Sequence, residues 1–237
     1  MRSALRMAAL ALVFCGTILR LVDPLGAADG LNVPPDGFSA LFNGKDLTGW
    51  KGMIDIKTRM KLSATELAKA QQIADEKMRA HWGVRDGVLV FDGKGDNLCS
   101  AKDYANFELY VDWKIEKGGD SGIYVRGTPQ IQIWDPDDPA QRANGNEKGS
   151  GSLWNNSKHP RFPDQKADKP VGEWNSFHIR MVGEKVTVKL NGKVVVNDVV
   201  LENYWERDKP VYSTGPIELQ NHGNTLYFRN IYIKELP

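Results

Sequence analysis

Two stretches hold most of the residue types that can do chemistry. In the first, 119–135, Asp120, Tyr124 and Arg126 recur at alternate positions, followed by Gln130, Gln132 and Trp134, again alternating. In the second, 217–222, the alternating set is Glu218, Gln220 and His222. The positions between them are largely apolar: Ile123, Val125, Ile131, Ile133, Ile217 and Leu219. Period two marks a strand with one face in a core, so each stretch presents its polar set on the other face. A merely solvated strand carries Lys, Glu and Thr. An arginine fork, amides and aromatics, with a carboxylate, an amide and an imidazole in a row beside them, instead suit a polar, ring-shaped ligand.

The more familiar catalytic patterns are missing. A glycosidase on a β-sandwich displays alternating carboxylates on one strand to serve as nucleophile and acid, and no Glu-x-Asp-x-x-Glu occurs. Glu108 and Asp112 share a face, but Lys114 follows them and a solvated face explains all three. Nothing resembles a nucleophile elbow, a phosphate loop or a His-Glu-x-x-His zinc helix.

The elements that must position these residues are mostly strands. The polar stretch 119–135 reads as a hairpin turning at Gly127, Thr128 and Pro129, with Asp135 on the core-facing parity unless the strand ends or bulges at Trp134. Asp86-Gly87 and Asn191-Gly192 are strong hairpin turns between alternating segments. Further strands are expected at 98–101, 107–115, 174–182, 216–222 and 226–235. Ser63-Ala64-Thr65-Glu66 is a capping box, with Leu67, Ala70, Ala74 and Met78 following at helical spacing, which predicts one inserted helix over about 64–80. Residues 136–172 form a long irregular stretch containing Trp154 and Asn155; a loop of that length in a compact domain is functional or disordered. Among seven tryptophans, Trp50, Trp82, Trp113 and Trp174 lie in core-like patterns, while Trp134 on the polar face and Trp154 in the long loop are the candidates to stack on a sugar. About a dozen short strands and one helix imply an all-β antiparallel sandwich in a single domain.

The first residues read as a leader. Arg2 and Arg6 precede an apolar run from Met7 to about Leu19, and small residues at 26–28 suit cleavage near Ala28. The expectation is a signal peptide over 1–28, a linker over 29–36, a domain over 37–237, and a periplasmic or extracellular location. Losing 1–28 removes Arg2, Arg6, Arg20 and Asp23 from 31 basic and 30 acidic residues, leaving a formal charge of −1 and no transmembrane segment. Such a chain has no electrostatic case for nucleic acid. Only Cys99 survives cleavage, so no internal disulfide is available.

Seven motifs in series carry a resemblance: 40–50 (ALFNGKDLTGW), DSGIYVRG at 120–127, QIQIWD at 130–135, GEWN at 172–175, LNG at 190–192, IELQNHG at 217–223 and FRNIYIKEL at 228–236. Together they resemble the 3-keto-disaccharide hydrolase family, in order over about 35–236. The resemblance implies a concanavalin A-like jelly-roll sandwich, export, and action on oxidised glycosides. A ketone at C3 acidifies the hydrogen on C2; a base takes that proton, the enolate expels the aglycone from C1, and water then adds. Such a site needs a base, donors for the enolate oxygen and an acid near the leaving group. On this basis His222 is the candidate base or acid. Arg126 and Gln132 would hold the keto or hydroxyl oxygens, and Asp120 or Asp135 would orient them. Tyr124, Gln130, Trp134, Trp154, Asn155, Glu218 and Gln220 would contact the sugar. No cofactor is called for, although a divalent cation on carboxylate and imidazole is an alternative to Arg126. The family pattern has a glutamate where this chain has the neutral Gln130, and commonly asparagine where it has Asp120, which points to another base or another substrate. The competing expectations are a non-catalytic carbohydrate-binding module and an interaction domain of the cell envelope.

Overall fold

The computed structural model describes residues 30–237, so the leader expected over 1–28 lies outside the described residues. The strands are β1 (Ser39–Ala40), β2 (Trp50–Gly52), β3 (Trp82–Arg85), β4 (Val88–Asp92), β5 (Leu98–Ser100), β6 (Asn106–Ile115), β7 (Asp120–Val125), β8 (Thr128–Trp134), β9 (Asn175–Val182), β10 (Lys185–Leu190), β11 (Lys193–Val200), β12 (Glu218–Leu219) and β13 (Thr225–Leu236). One sheet runs β11-β10-β9-β6-β13-β4-β3, with β1 joining on β13; the other runs β2-β5-β12-β7-β8. All pairings between these strands are antiparallel. This is the antiparallel two-layer sandwich that the period-two segments imply, of the jelly-roll kind that the resemblance implies.

Alternation builds the core. Phe107, Leu109, Val111, Trp113 and Ile115 point inward from β6. They meet Ile123, Ile131, Ile133 and Leu219 of the second sheet within one cluster. Burying such side chains contributes roughly 1.5–3 kcal/mol each against leaving them in water, which locks the parity of every strand that carries them. Trp50, Trp82 and Trp113 are buried as their patterns predict. Trp174 is not core: Arg229 lies 4.1 Å above its ring and Lys114 5.2 Å, so it packs under cations on an outer face.

The helical insertion comprises α1 (Ile56–Arg59) and α2 (Ala64–His81). The capping box at Ser63 and Glu66 forms in both directions. The α2 helix sits against β2, where Gln71 Nε2 donates to the Gly52 carbonyl at 2.9 Å and Gly52 N–H donates to Asp75 at 2.8 Å. Gly52 has no alternative there, because a Cβ would stand 2.1 Å from the Ala74 carbonyl oxygen. Among the described residues no helix is long and apolar enough to cross a membrane.

The long loop 136–172 is built rather than loose. Two 3₁₀ turns, Pro139–Asn144 and Asn146–Lys148, lead into a segment that lies beside β8 as a short extra strand. There Leu153 pairs with Ile131, Gln132 N–H donates to Ser152 O at 2.9 Å and Trp154 N–H to Gln130 O at 3.2 Å. The far end of the loop is clasped by Glu202, whose carboxylate accepts from the N–H groups of Ser157, Lys158 and His159 at 2.6–3.0 Å.

The Gly52→Ala variant should destabilise the domain by about 1–3 kcal/mol, the usual cost of an overpacked contact, with α2 displaced from β2. A thermal melt checks it; an unchanged midpoint would show that the helix gives way freely.

Candidate active site

The second sheet has one face in the core and one face that is almost entirely polar. Register arranges that face in rows. Lys51 pairs with Cys99, Cys99 with Glu218 and Glu218 with Tyr124, while Trp154 comes level with Gln130 at the far end. In the next row Gln220 N–H donates to Gly122 O, Gly122 pairs with Gln132, and Ser152 lies beyond. The third row pairs Asp120 with Trp134, and His222 Nδ1 approaches Asp120 Oδ2 at 3.6 Å. Asp120, Tyr124, Gln130, Gln132, Glu218, Gln220 and His222 are therefore gathered on one surface, as their alternation implies.

Side-chain hydrogen bonds run across this surface. Gln130 Nε2 donates to Gln132 Oε1 at 2.6 Å, and Gln132 Nε2 donates to Asp120 Oδ1 at 2.7 Å. The chain ends at His222, whose side chain is 54% exposed whereas that of Asp120 is 11% exposed. Burial raises the Asp120 carboxyl above its ordinary range, opposed by the neighbouring imidazole and the Gln132 amide. Nδ1 is the ring nitrogen nearer the carboxylate, and the exposed imidazole is a side chain of the kind that moves protons near neutral pH. On the neighbouring strand, Gln220 Nε2 reaches Tyr124 Oη at 3.3 Å.

Glu218 has a different environment. It is 8% exposed, and Asn97 Nδ2 touches its Oε2 at 3.3 Å. Burial pushes its carboxyl up to about 7, against weaker pulls from Asn97, Arg59, Cys99 and Lys51. Burial and then the charge of Glu218 also push the Tyr124 phenol well above its ordinary value.

The face also holds unsatisfied polar atoms. Among the described residues seven buried side-chain nitrogens and oxygens lack a partner. Gln220 Oε1, Ser152 Oγ and Thr128 Oγ1 lie on this face, and Arg161 Nε lies beside it. Buried polar groups are ordinarily paired, so a cluster of orphans on one surface marks where a hydroxyl-rich ligand would complete them. Gly122 lies between the two strands of amides; a Cβ there would meet Gln130 Cγ at 2.9 Å and Gln220 Oε1 at 3.1 Å.

Four expected site residues take other roles. The hairpin turns at Arg126 and Gly127, both with positive φ (53° and 67°), rather than at Gly127, Thr128 and Pro129. That two-residue turn swings Arg126 off the strand face. Its guanidinium donates to Ala105 O at 2.6 Å, Tyr212 O at 3.2 Å and Asn106 Oδ1 at 3.0 Å. Arg126 thus clamps loops and does not reach the polar face. Asp135 follows the core-facing parity and braces a neighbouring turn, accepting from Gly118 and Asp137 N–H at 2.9 Å each. Trp134 does lie on the polar face but is 1% exposed, its Nε1 donating to Gly149 O. It packs edge-on against Trp154 at 5.1 Å, and no sugar can stack on it. Trp154 keeps part of its ring exposed, with the Arg161 guanidinium 3.5 Å from its centroid. Asn155 offers its carbonyl to Arg207 Nη1 at 2.6 Å, away from the row of amides.

Asn97, Cys99, Lys51 and Ser152 also belong to the face. Alternation around Leu98 could have found Asn97 and Cys99; Lys51 and Ser152 depend on sheet neighbours that periodicity cannot name. Among the described residues no group of three His, Cys, Asp or Glu side chains is placed to hold a metal ion.

Comparisons with known proteins agree with the fold. A family model described as a 3-keto-alpha-glucoside-1,2-lyase-like domain matches residues 37–234. A 3-keto-disaccharide hydrolase of Bacteroides thetaiotaomicron is 26% identical, the match covering 88% of this chain and 82% of that protein. A crystal structure of a glycosyl hydrolase candidate from Parabacteroides distasonis superposes with a TM-score of 0.65 at 27% identity, covering 88% of this chain and all of the other. A second from the same organism gives 0.59 at 26% identity, covering 85% of each chain.

Two stability outcomes follow. Arg126→Ala should cost about 2 kcal/mol, the scale of charged hydrogen bonds lost from a buried clamp, while turnover per folded molecule stays unchanged. For Glu218 the folded carboxyl titrates above its unfolded value, so its relative stabilisation is full below about pH 4.5 and lost by about pH 7. Glu218→Gln should therefore raise the melting temperature relative to wild type more at pH 8 than at pH 4. Equal increments at both pH values would contradict the burial of an uncompensated carboxylate.

Proposed function

The chain belongs to the 3-keto-alpha-glucoside-1,2-lyase-like family, and from that premise we propose that it cleaves the glycosidic bond of 3-keto-glycosides by elimination and hydration. The observation that carries this reading is the hydrogen-bonded line from Gln130 through Gln132 to Asp120, ending beside an exposed imidazole. His222 Nε2 takes the C2 proton, whose acidity comes from the adjacent ketone. Asp120 holds the ring and stabilises its cation, a role its buried position strengthens. The electron pair left on C2 delocalises onto the keto oxygen, where an amide N–H of Gln220 or the Tyr124 hydroxyl can donate. Return of those electrons forms C1=C2 and breaks the bond from C1 to the aglycone oxygen. Water then adds, hydroxyl to C1 and proton to C2, and the sum is hydrolysis.

The face suits such chemistry better than it suits a binding module. Stacking of a sugar needs an open aromatic ring, and Trp134 is closed while Trp154 carries Arg161. Export on the leader-like first 28 residues is part of the same proposal and would place the enzyme where glycosides arrive from outside.

Incubation with a 3-keto-disaccharide and with its unoxidised parent tests the proposal. Free sugar should appear from the keto form only, with deuterium entering C2 in heavy water. His222→Ala should lower kcat by about 10²–10⁴, the usual worth of a general base, with a smaller change in KM. Binding without turnover, unaffected by His222→Ala, would overturn the mechanism in favour of a carbohydrate-binding protein.

A further inference from the structure

We propose that Glu218 is the second proton-transfer group of this site, the acid that serves the departing aglycone oxygen, and not one more contact to the sugar. The inference rests on the elimination reading above and adds a residue to it.

Position comes first. Glu218 and His222 are four residues apart, the second three residues beyond the end of β12, so their backbones stand at most about 13 Å apart at roughly 3.3 Å per residue. The midpoint is Gln220, paired with the side-chain-free Gly122. A pyranose ring seated over that point has His222 and Asp120 at one end and Glu218 at the other. Elimination across C1 and C2 requires a base at one carbon and a proton donor at the oxygen leaving the next, and Glu218 and His222 are the proton-transfer groups that flank that point on the same face.

The surroundings of Glu218 point the same way. The titratable groups that face it are Cys99 from β5, Tyr124 from β7, Lys51 from β2 and Arg59 from α1. Among the described residues none of these cations forms an ion pair with it; Arg59 is instead 3.8 Å from Asp103. Its hydrogen bond from Asn97, at 3.3 Å, is long, and the Cys99 thiol is a weak donor. Its other oxygen lies 3.6 Å from where a Gly127 Cβ would stand, beside Pro216 and Ile56. A buried carboxyl with so little support costs folding free energy, which a purely structural residue would not be kept for. Its raised titration leaves much of the population protonated near neutrality, the state a donor requires.

The proton count closes. His222 gains the C2 proton while Glu218 gives its own to the aglycone oxygen, so the aglycone leaves as an alcohol and Glu218 becomes a carboxylate. In the hydration step that carboxylate takes a proton from the attacking water as the hydroxyl bonds to C1. The protonated His222 returns its proton to C2, and both groups are reset.

Leaving-group dependence tests this. Two 3-keto-glucosides are compared, one releasing a sugar hydroxyl and one releasing p-nitrophenolate, which leaves without help from an acid. Glu218→Gln should slow the first by about 10²–10⁴ and the second by less than about tenfold, with C2 hydrogen exchange retained. Equal losses on both substrates, or loss of exchange, would overturn the acid role. A wild-type protein inert toward both glycosides would sink the elimination reading itself. A separate readout is the infrared difference spectrum of wild type against Glu218→Gln. A protonated-carboxyl band at neutral pH that fades on raising the pH supports the inference, and its absence overturns it whatever the activity.

Discussion

The pairing of β12 with β7 is the constraint on which the site depends. Leu219 lies opposite Ile123, and both are wholly buried in the core. Because side chains alternate, seating that apolar pair forces Glu218, Tyr124, Gln220 and Gly122 onto the other face, and a slip of one residue would put carboxylates and amides into the sandwich. The same argument passes to β8 through Ile131 and Ile133 and to the loop segment through Leu153. The arrangement of the polar face is thus a consequence of the hydrophobic one. The polar side chains need no separate device to align them, because the core has already set their register.

How far this was legible in the sequence follows from the range of each interaction. Asp120, Gln132, Glu218, Gln220 and His222 were found because each strand declares its own faces. The α2 helix was found because Ser63 and Glu66 signal its start within four residues. Asp135 keeps the core-facing parity that alternation gives it, whereas Arg126 sits at the end of a strand, where alternation stops being informative. The turn takes Arg126 into the left-handed region, a conformation in which glycine is more usual, and three hydrogen bonds to residues 20 or more positions away hold it there. Trp134 sits on the face its parity predicts; its burial is decided by Gly149, Ser150 and Trp154 folding over it. No local pattern contains that information.

Two glutamates show how environment separates structural from chemical carboxylates. Glu202 and Glu218 are both scarcely exposed. Burial works against the Glu202 carboxylate, yet the N–H groups of His159, Lys158 and Ser157 and the Ser157 hydroxyl hold it down at about 2, so it remains ionised and ties the loop to the domain. Glu218 has burial without the donors and is pushed to about 7. The difference is the number of donors aimed at each group, since a carboxylate can be buried cheaply only if its lone pairs are met.

The same logic explains the neutral residue at 130. Gln132 has one carbonyl and one amino group, and Asp120, as an ionised carboxylate, can only accept. Gln132 must then point its amino group at Asp120, which turns its carbonyl toward position 130, where a donor is required. Gln130 supplies one at 2.6 Å. A carboxylate at 130 could not donate, and it would bring a second negative charge into a face where Asp120 is already disfavoured by burial. The line of amides therefore carries direction as well as contact: Gln130 fixes the orientation of Gln132 and Gln132 that of Asp120, which lies 3.6 Å from the imidazole. Two glutamines and an aspartate thus form one directed line that ends beside His222.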